Sequence, residues 1–396
     1  MNKANMLLTM IGALSLTACG GGGDTAPATP QTQAAPPPAP VTTGNSSDVA
    51  TPSKAEVFAV ISDHFAHTTN INFARFDVLD NDRMLVAFSD DTDAPETVMV
   101  DFSDPNNITF TELGKSSHHR GLIEVDLDHD SIAEIYTFSH GYEYVYDGDD
   151  NIQMAKQGDN FLIDEFGELT LIGGNYTHGA CAGDFNGDSN VDIVDVNVYH
   201  GNTPVVRYND GNADLSNAQD MPAEMLARHS KTDEGFTTCT SADVNQDGFD
   251  DVILGRNVVD IEPGRSVDGQ HVILYGSADG LEFDEQFSVI DYNESSLEGL
   301  TNTTGMFTVD NYMVAFVTDY ETTQIELFEV DSNNNSTYTF VQSISIDQAT
   351  LDIEVKQGQA VITDTWTRAI DDYYTEPAYH VTVENGSLQV EHRLRD

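Results

Sequence analysis

Three short acidic loops recur along this chain at nearly constant spacing. Their first residues lie 58 and then 59 positions apart, and each loop has oxygen-bearing side chains at its positions 1, 3, 5 and 9. These side chains are Asp126, Asp128, Asp130 and Glu134 in the first loop, Asp184, Asn186, Asp188 and Asp192 in the second, and Asp243, Asn245, Asp247 and Asp251 in the third. A fixed period of this length indicates a repeated structural unit.

The side chains of these loops are ligands that calcium prefers. Ca²⁺ takes six to eight oxygen ligands at about 2.3–2.6 Å, and acids at this spacing can surround one ion. We therefore expect two to three structural Ca²⁺ sites. An EF-hand would need an acid at position 12 and flanking helices, but position 12 is Thr137, Asp195 and Leu254. Short β-branched apolar runs flank the loops and predict strands.

The succession of strand, acidic loop and strand resembles the FG-GAP/VCBS repeat family, which includes integrin-alpha-like repeats. The resemblance is carried by GDFNGD at 183–188 with DIV at 192–194, and by ADVNQDG at 242–248 with DVI at 251–253. It implies an all-β fold, namely a β-propeller of four-stranded blades. It also implies a cation in the loop between the first and second strands of a blade.

Turn-rich segments between apolar runs give a second count of the blades. Six segments have the composition of the hairpins that join outer strands, and they are 104–107, 147–150, 209–212, 277–280, 331–335 and 384–386. About 340 residues at the period of the loops also accommodate six units. Six blades are favoured, and seven remain possible. Residues 55–62 are expected to add a strand that closes the ring, because closure removes exposed sheet edges.

The N-terminus resembles that of an exported lipoprotein. Residues 1–18 combine Lys3 with an apolar stretch, as a signal peptide does. They end in a segment similar to a bacterial lipobox, which implies that Cys19 becomes the lipidated first residue. Residues 19–54 form a Gly/Pro-rich tether that cannot bury a core, and residues 55–396 form the propeller. Gly at position 20 favours the outer membrane of a Gram-negative bacterium, on its periplasmic or its surface side.

The charge balance restricts the partners. The chain has 67 acids against 16 bases, a net charge of −51. Such a field repels nucleic acid and anionic membrane surfaces. We expect no nucleic-acid partner, and contact with the membrane only through the N-terminal lipid. No stretch of the sequence is long and apolar enough to be a transmembrane helix.

In a propeller, the loops that enter first strands and leave second strands lie opposite the acidic loops. We call this the opposite face, and we expect any ligand site there because ligands favour loops on a rigid scaffold. Histidine can act as acid, base or ligand near neutral pH, and Trp or Tyr can pack against sugars. The ligand-binding candidates are His119, His140, His178, His200, Trp366 and Arg368, and Tyr176 and Arg120 lie among them.

These candidates leave three functions open. The first is an exported, lipid-anchored, calcium-stabilised propeller that binds a glycan or a protein at the cell envelope. The second is a polysaccharide lyase or another glycan-degrading enzyme, by analogy with propeller lyases that use His, Tyr and Arg. One of the four histidines would then be the acid or base, and Arg120 or Arg368 would neutralise a substrate carboxylate. The third is a structural subunit of an envelope assembly.

The two remaining cysteines occupy different positions in their repeats. Cys181 lies three residues before its acidic loop, and Cys239 lies four residues before the next. Side chains alternate across a strand, so the two cysteines should face each other across neighbouring blades. An exported compartment permits oxidation. We expect a disulfide, and two buried thiols are the alternative.

Overall fold

The structure is a computed structural model. It describes residues 51–66, 73–79, 82–89, 96–115, 120–139, 145–146, 152–153, 158–197, 203–222, 236–256, 271–283, 287–290, 302–318, 322–331, 337–347, 352–356, 358–363 and 370–395. One compact unit spans Thr51–Asp396. The predicted signal peptide, Cys19 and the tether up to residue 50 lie outside the described residues. Within those residues, no helix has the length and apolarity needed to cross a membrane.

The described residues contain six antiparallel sheets of four strands, which are the blades of a propeller. The first three blades consist of β1 (Phe73–Leu79), β2 (Arg83–Ser89), β3 (Glu96–Asp101) and β4 (Thr109–Lys115); β5 (Gly121–Val125), β6 (Glu134–Phe138), β9 (Gly158–Ile163) and β10 (Leu169–Asn175); and β11 (Thr177–Gly183), β12 (Asp192–Asn197), β13 (Val205–Tyr208) and β14 (Asn217–Asp220). Between β6 and β9, β7 (Val145–Tyr146) pairs with β8 (Ile152–Gln153).

The last three blades follow the same plan. They consist of β15 (Phe236–Ala242), β16 (Asp251–Arg256), β17 (His271–Leu274) and β18 (Phe287–Ile290); β19 (Asn302–Val309), β20 (Tyr312–Thr318), β21 (Thr323–Val330) and β22 (Tyr338–Ile346); and β23 (Asp352–Lys356), β24 (Gln359–Thr363), β25 (Ala378–Glu384) and β26 (Ser387–Arg393). The prediction of an all-β propeller with six blades is confirmed.

Five of the six predicted hairpin segments lie between the third and fourth strands of their blades. The exception is in the second blade, where residues 164–168 join β9 to β10. Residues 147–150 fall between β7 and β8 and lie outside the described residues. Residues 147–150 (DGDD) are richer in turn-forming residues than residues 164–168 (DEFGE), so composition alone indicates the wrong hairpin in this blade. The count of six blades is unaffected.

The predicted closing strand at residues 55–62 is wrong. This segment belongs to helix α1 (Lys54–Ala66), and its buried residues are Val57, Phe58, Ile61 and Phe65. That spacing places the four side chains on one side of a helix, which alternation in a strand would not do. The helix therefore replaces the expected strand.

A capping box starts this helix. Ser53 N and Ser53 Oγ each donate to Glu56 Oε2 at 2.8 Å, and Glu56 N donates back to Ser53 Oγ at 3.3 Å. The reciprocal bonds satisfy backbone donors that have no partner within the helix. The same bonds lower the pKa of Glu56. The pair fixes where the helix begins.

Helix α1 packs where the first and last blades meet. The ring of Phe58 lies 5.4 Å from that of Phe102 in the first blade and 5.2 Å from that of Tyr373, between β24 and β25 of the last blade. Apolar clusters fill the other five junctions between consecutive blades, and there the sheets pack on each other directly. The ring is thus closed by a helix at its sixth junction.

Candidate functional site

The three acidic loops contact one another on one face of the propeller. We call residues 126–134, 184–192 and 243–251 the first, second and third acidic loops. His129 Nε2 of the first lies 2.9 Å from Asn190 Oδ1 of the second. Asp184 N of the second donates to Asp250 Oδ2 of the third at 2.9 Å, and Asp250 N donates to Asp184 O at 3.0 Å. The loops of the second, third and fourth blades thus form one continuous acidic surface.

The first acidic loop has the arrangement that best fits a cation. Asp126, Asp128 and Asp130 each offer a carboxylate oxygen, and the three oxygens lie within 4.8 Å of one another. Asp126 Oδ1 is buried and has no hydrogen-bond partner among the described residues. Asp126 Oδ2 accepts a bond from Ser131 N at 3.0 Å, which wraps the backbone around the carboxylate. Gathered carboxylate oxygens are ligands that Ca²⁺ prefers.

The second and third loops differ from the first at position 3. Asn186 Nδ2 donates to Asp188 Oδ2 at 3.0 Å, and Asn245 Nδ2 donates to Asp247 Oδ2 at 2.9 Å. The nitrogen of each amide, and not its oxygen, therefore faces the neighbouring carboxylate. A calcium ligand must be an oxygen, so both amides would have to rotate to hold an ion. The donor set of the first loop fits Ca²⁺ without that change.

The acids at position 9 are the first residues of second strands, and they hold the loops in shape. Glu134, Asp192 and Asp251 are at most 2% exposed. Each accepts a hydrogen bond from the backbone N–H of loop position 2, at 2.7 Å from Leu127, 3.2 Å from Phe185 and 2.9 Å from Val244. The predicted role of these three acids as metal ligands stays a prediction.

Two of these acids also bind the hairpin between the third and fourth strands of the same blade. Asp192 Oδ1 accepts from Asn209 N at 2.9 Å, and Asp251 Oδ1 accepts from Gly276 N at 3.0 Å. Burial raises the pKa of each carboxyl from 3.8 to about 7, although these backbone bonds oppose the shift. Burial likewise raises the pKa of Glu134. For Asp192 and Asp251, neutral and charged carboxyls therefore coexist near pH 7.

Of the eight candidates on the opposite face, the structure describes three. Arg120 directly precedes β5, Tyr176 directly precedes β11, and His178 lies in β11. His178 Nδ1 lies 2.9 Å from the carbonyl oxygen of Thr237 on β15, so this histidine joins two neighbouring blades. The other candidates, His119, His140, His200, Trp366 and Arg368, lie outside the described residues.

A cavity of about 520 Å³ lies on the axis of the propeller, and the innermost strands of all six blades line it. At the end where these strands begin, its lining includes Arg120, His178, Thr238 and Thr304. At the acidic-loop end, its lining includes Val78, Glu124, Ser241 and Lys356. The cavity therefore brings together two of the predicted candidates, Arg120 and His178.

The ratio of acidic to basic residues in the cavity lining is lower than that in the whole chain. Its acids are Asp77, Glu124 and Glu354, and its bases are Arg120, Lys356 and the imidazole of His178. Acids outnumber bases 67 to 16 in the whole chain, so cationic groups are enriched in the lining. Lys356 Nζ lies 3.8 Å from Glu124 Oε1 at the acidic-loop end. Among the described lining residues, Arg120 supplies a guanidinium at the opposite end.

A buried polar network that the sequence patterns above do not predict lies between the second and third blades. Tyr136 Oη donates to Asp195 Oδ1 at 2.7 Å, and Arg207 Nε donates to Asp195 Oδ2 at 2.7 Å. Asn160 Nδ2 donates to Tyr136 Oη at 3.1 Å. Burial and the charge of Asp195 raise the pKa of Tyr136, so its hydroxyl remains a donor. The signal in the sequence is an aspartate within an apolar second strand.

The cysteines join the third and fourth blades. A disulfide links Cys181 on β11 to Cys239 on β15, whose Cα atoms lie 5.6 Å apart. The two backbones approach closely beside it, because a Cβ on Gly179 would lie 2.8 Å from Thr238 Cα. Both cysteines line the axial cavity. The disulfide therefore fixes two of the six innermost strands around the cavity.

Comparison with known proteins gives no family. No protein-family model matches the chain, and no curated protein matches it. Among solved structures, it is similar to a protein from Lactobacillus plantarum, with 11% identity and a TM-score of 0.47 over 80% of this chain and 83% of that one. It is also similar to the periplasmic gluconolactonase PpgL of Pseudomonas aeruginosa, with 12% identity and a TM-score of 0.48 over 83% and 85% of the two chains. Likeness at this level carries no argument about function.

Proposed function

We propose that this chain is an exported, lipid-anchored binding protein that holds an acidic saccharide at one end of its axial cavity, while Ca²⁺ stabilises the acidic-loop face. The observation that carries the proposal is the cavity of about 520 Å³ with Arg120 and His178 at the end opposite the acidic loops. Small-ligand sites commonly have volumes of roughly 300–1,000 Å³, with a few well-placed polar groups. The cavity has both properties.

Rigid strands support the polar groups at that end. Arg120 N donates to the carbonyl oxygen of Phe138 at 2.6 Å, which fixes the backbone beside β5. His178 is held against Thr237 of the next blade, and Thr237 Oγ1 in turn donates to Thr303 O of the blade after it at 2.6 Å. A preorganised site loses little conformational entropy when it binds.

The charge of Arg120 favours an acidic ligand. A guanidinium matches a carboxylate with two parallel hydrogen bonds, and Thr238 and Thr304 add hydroxyl groups to the same end. The net charge of −51 repels anions elsewhere on the surface. A saccharide with a carboxylate would therefore be held only where a cationic group lies within reach.

The proposed cation belongs to the first acidic loop. Asp126, Asp128 and Asp130 supply gathered carboxylates, and Asp126 Oδ1 supplies a buried acceptor. Bound Ca²⁺ would neutralise their mutual repulsion and so stabilise the folded state. The export and the lipid anchor rest on the resemblance of residues 1–19 to a lipoprotein signal.

Calorimetric titration with oligosaccharides tests the ligand site. The panel pairs galacturonate and glucuronate oligomers with neutral oligomers of equal length. We expect acidic oligomers to bind and Arg120→Ala to weaken binding about tenfold or more, as loss of a charged hydrogen bond does. Arg393→Ala is the matched control, since Arg393 lies on the outer strand β26 and pairs with Glu391 at 3.2 Å. No binding by the panel, or equal losses in both variants, would show that the proposal is wrong.

The glycan-degrading alternative depends mainly on His119, His140, His200 and Arg368, which lie outside the described residues. It stays a prediction. The same acidic oligomers, incubated with the protein and followed by ultraviolet absorbance, would reveal the unsaturated product of a lyase. Binding without that product would favour a binding protein.

A further inference from the structure

The axial cavity is surrounded by the innermost strands of the six blades. Its lining residues come from β1, β5, β11, β15, β19 and β23. Neighbouring strands approach closely around it, and a Cβ on Gly305 of β19 would lie 2.6 Å from Ile353 Cδ1 of β23. A ligand inside the cavity is therefore enclosed around the axis of the propeller, and it enters along that axis.

At the acidic-loop end of the cavity, side-chain hydrogen bonds join three of these strands. Ser241 Oγ on β15 donates to Ala182 O on β11 at 2.5 Å, and Thr308 Oγ1 on β19 donates to Ser241 O at 2.8 Å. Ala182 and Ser241 both line the cavity. The third, fourth and fifth blades are therefore held together where their innermost strands end.

Lys356 joins the other three strands at the same end. Its Nζ, on β23, donates to Val78 O on β1 at 2.7 Å and lies 3.8 Å from Glu124 Oε1 on β5. All three residues line the cavity. All six innermost strands thus take part in polar contacts at this end, which we call the Lys356 end. The opposite end of the cavity, lined by Arg120, His178, Thr238 and Thr304, is the Arg120 end.

The two ends are too far apart for one sugar to contact both. Arg120 directly precedes β5, and Glu124 lies four residues further along the chain. A strand rises about 3.3 Å per residue, so the two positions are about 13 Å apart. A single sugar ring is much shorter than that distance. A carboxylate on Arg120 and a sugar beside Lys356 must therefore belong to different units of one saccharide chain.

We propose that the cavity takes the end of an acidic saccharide chain, with the terminal sugar beside Lys356 and Glu124 and the carboxylate of a later unit on Arg120. This inference rests on the proposed function and names the part of the ligand that enters the cavity. An ammonium has three donors, so Lys356 can donate to a sugar hydroxyl as well as to Val78 O. That hydroxyl or its neighbour would donate to the carboxylate of Glu124.

An internal segment of a polysaccharide does not fit this site. Such a segment continues in both directions, so it would have to cross the ring of innermost strands or thread through both ends of the cavity. The enclosing strands oppose the first, and the contacts at the Lys356 end oppose the second. A chain terminus that enters from the Arg120 end meets neither obstacle.

The stoichiometry of binding tests this inference. The probes are galacturonate and glucuronate oligomers, each of one defined length, from tetramers upwards, titrated by calorimetry. We expect one protein molecule per oligomer at every length, because each chain has one terminus of the matching kind. A ratio that rises with length would show binding to internal units, which overturns the inference and leaves the proposed function standing. No binding at any length would contradict both.

Oligomers altered at one terminus give a second measurement. Borohydride opens the ring of the sugar at the reducing terminus, and lyase digestion leaves an unsaturated sugar at the other. We expect one alteration, and not the other, to weaken binding about tenfold or more, as the loss of hydrogen bonds to charged groups does. Unchanged affinity for both altered oligomers would overturn the inference. Both this measurement and the stoichiometry use the wild-type protein.

Lys356→Met tests the position of the terminal sugar. The variant keeps a long side chain and loses the ammonium. We expect it to weaken binding of the unaltered oligomer about tenfold, and to change much less the binding of the oligomer whose altered terminus weakens binding, because that contact is already lost. Arg120→Ala should weaken binding of both oligomers. Equal losses for the two oligomers in Lys356→Met, or none, would contradict the inference.

Discussion

Lys356, on the innermost strand of the last blade, donates from Nζ to the carbonyl oxygen of Val78, on the innermost strand of the first, at 2.7 Å. The same junction contains Tyr373, whose Oη donates to Glu354 Oε2 at 2.8 Å. Arg395 Nη2 lies 3.2 Å from Glu354 Oε1. Side chains and helix α1 therefore join the ends of the ring, in place of the closing strand that the sequence predicts.

Phe58→Ala should weaken this closure. Phe58 is fully buried in the cluster between α1, the first blade and Tyr373. Loss of a buried Phe costs about 3–5 kcal/mol of the free energy of unfolding. Guanidinium unfolding followed by far-ultraviolet circular dichroism measures the change. Val60→Ala, on the exposed side of the same helix, should change it by less than about 0.5 kcal/mol. Similar losses in the two variants would contradict a role for α1 in closure.

Calcium should raise the melting temperature through the first acidic loop. An ion at 100 times its dissociation constant adds about 2.7 kcal/mol to the free energy of unfolding for each site. Melting scans with Ca²⁺ and with EDTA measure this difference. Asp126→Asn should reduce the calcium effect more than Asp184→Asn, because only the first loop presents its carboxylates without an amide rotation. Identical scans with Ca²⁺ and EDTA at low ionic strength would count against a bound ion.

Removal of the disulfide should destabilise the propeller. Cys181 and Cys239 are separated by 58 positions, and closing a loop of this length is worth about 4 kcal/mol in the chain-entropy model. A Cys181→Ala/Cys239→Ala variant should melt at a lower temperature than the wild type under oxidising conditions. A reductant should lower the melting temperature of the wild type alone. Two free thiols titrated in the native domain from Thr51 onwards, which lacks Cys19, would rule out the bridge.

In EDTA, the free energy of unfolding should fall as pH rises from 3.8 to about 7. Burial raises the pKa of Asp192 across this interval on folding, so the folded state binds the proton more tightly than the unfolded state. The stabilisation that Asp192 contributes is complete below pH 3.8, the pKa in the unfolded state. It is lost as the pH rises through about 7, the pKa in the folded state. Asp192→Asn should make this slope shallower, measured by unfolding at several pH values, whereas Asp251, whose pKa burial also raises to about 7, keeps its own contribution. Asp210→Asn, at an exposed acid of the neighbouring hairpin, should leave it unchanged.

The repeat could be predicted from the sequence because its acids recur at fixed spacing, whereas the closure could not. Residues 55–62 form too short an apolar run for its period to distinguish a strand from a helix. The pair Ser53 and Glu56 was the available helix signal, and it lies partly outside that run. Tyr136 and Asp195 are 59 positions apart. No local pattern connects two such residues, so their network becomes visible only when the blades are packed together.

Among the described residues, the strands of each blade come from one continuous stretch of the chain, which in the second blade also includes β7 and β8, and no blade takes a strand from the far end of the chain. One uninterrupted piece of the gene therefore encodes each blade. Duplication or deletion of such a piece would add or remove a complete module, and the chain ends would not need new partners in another sheet. The number of blades in such a ring can therefore change during evolution by one complete blade at a time.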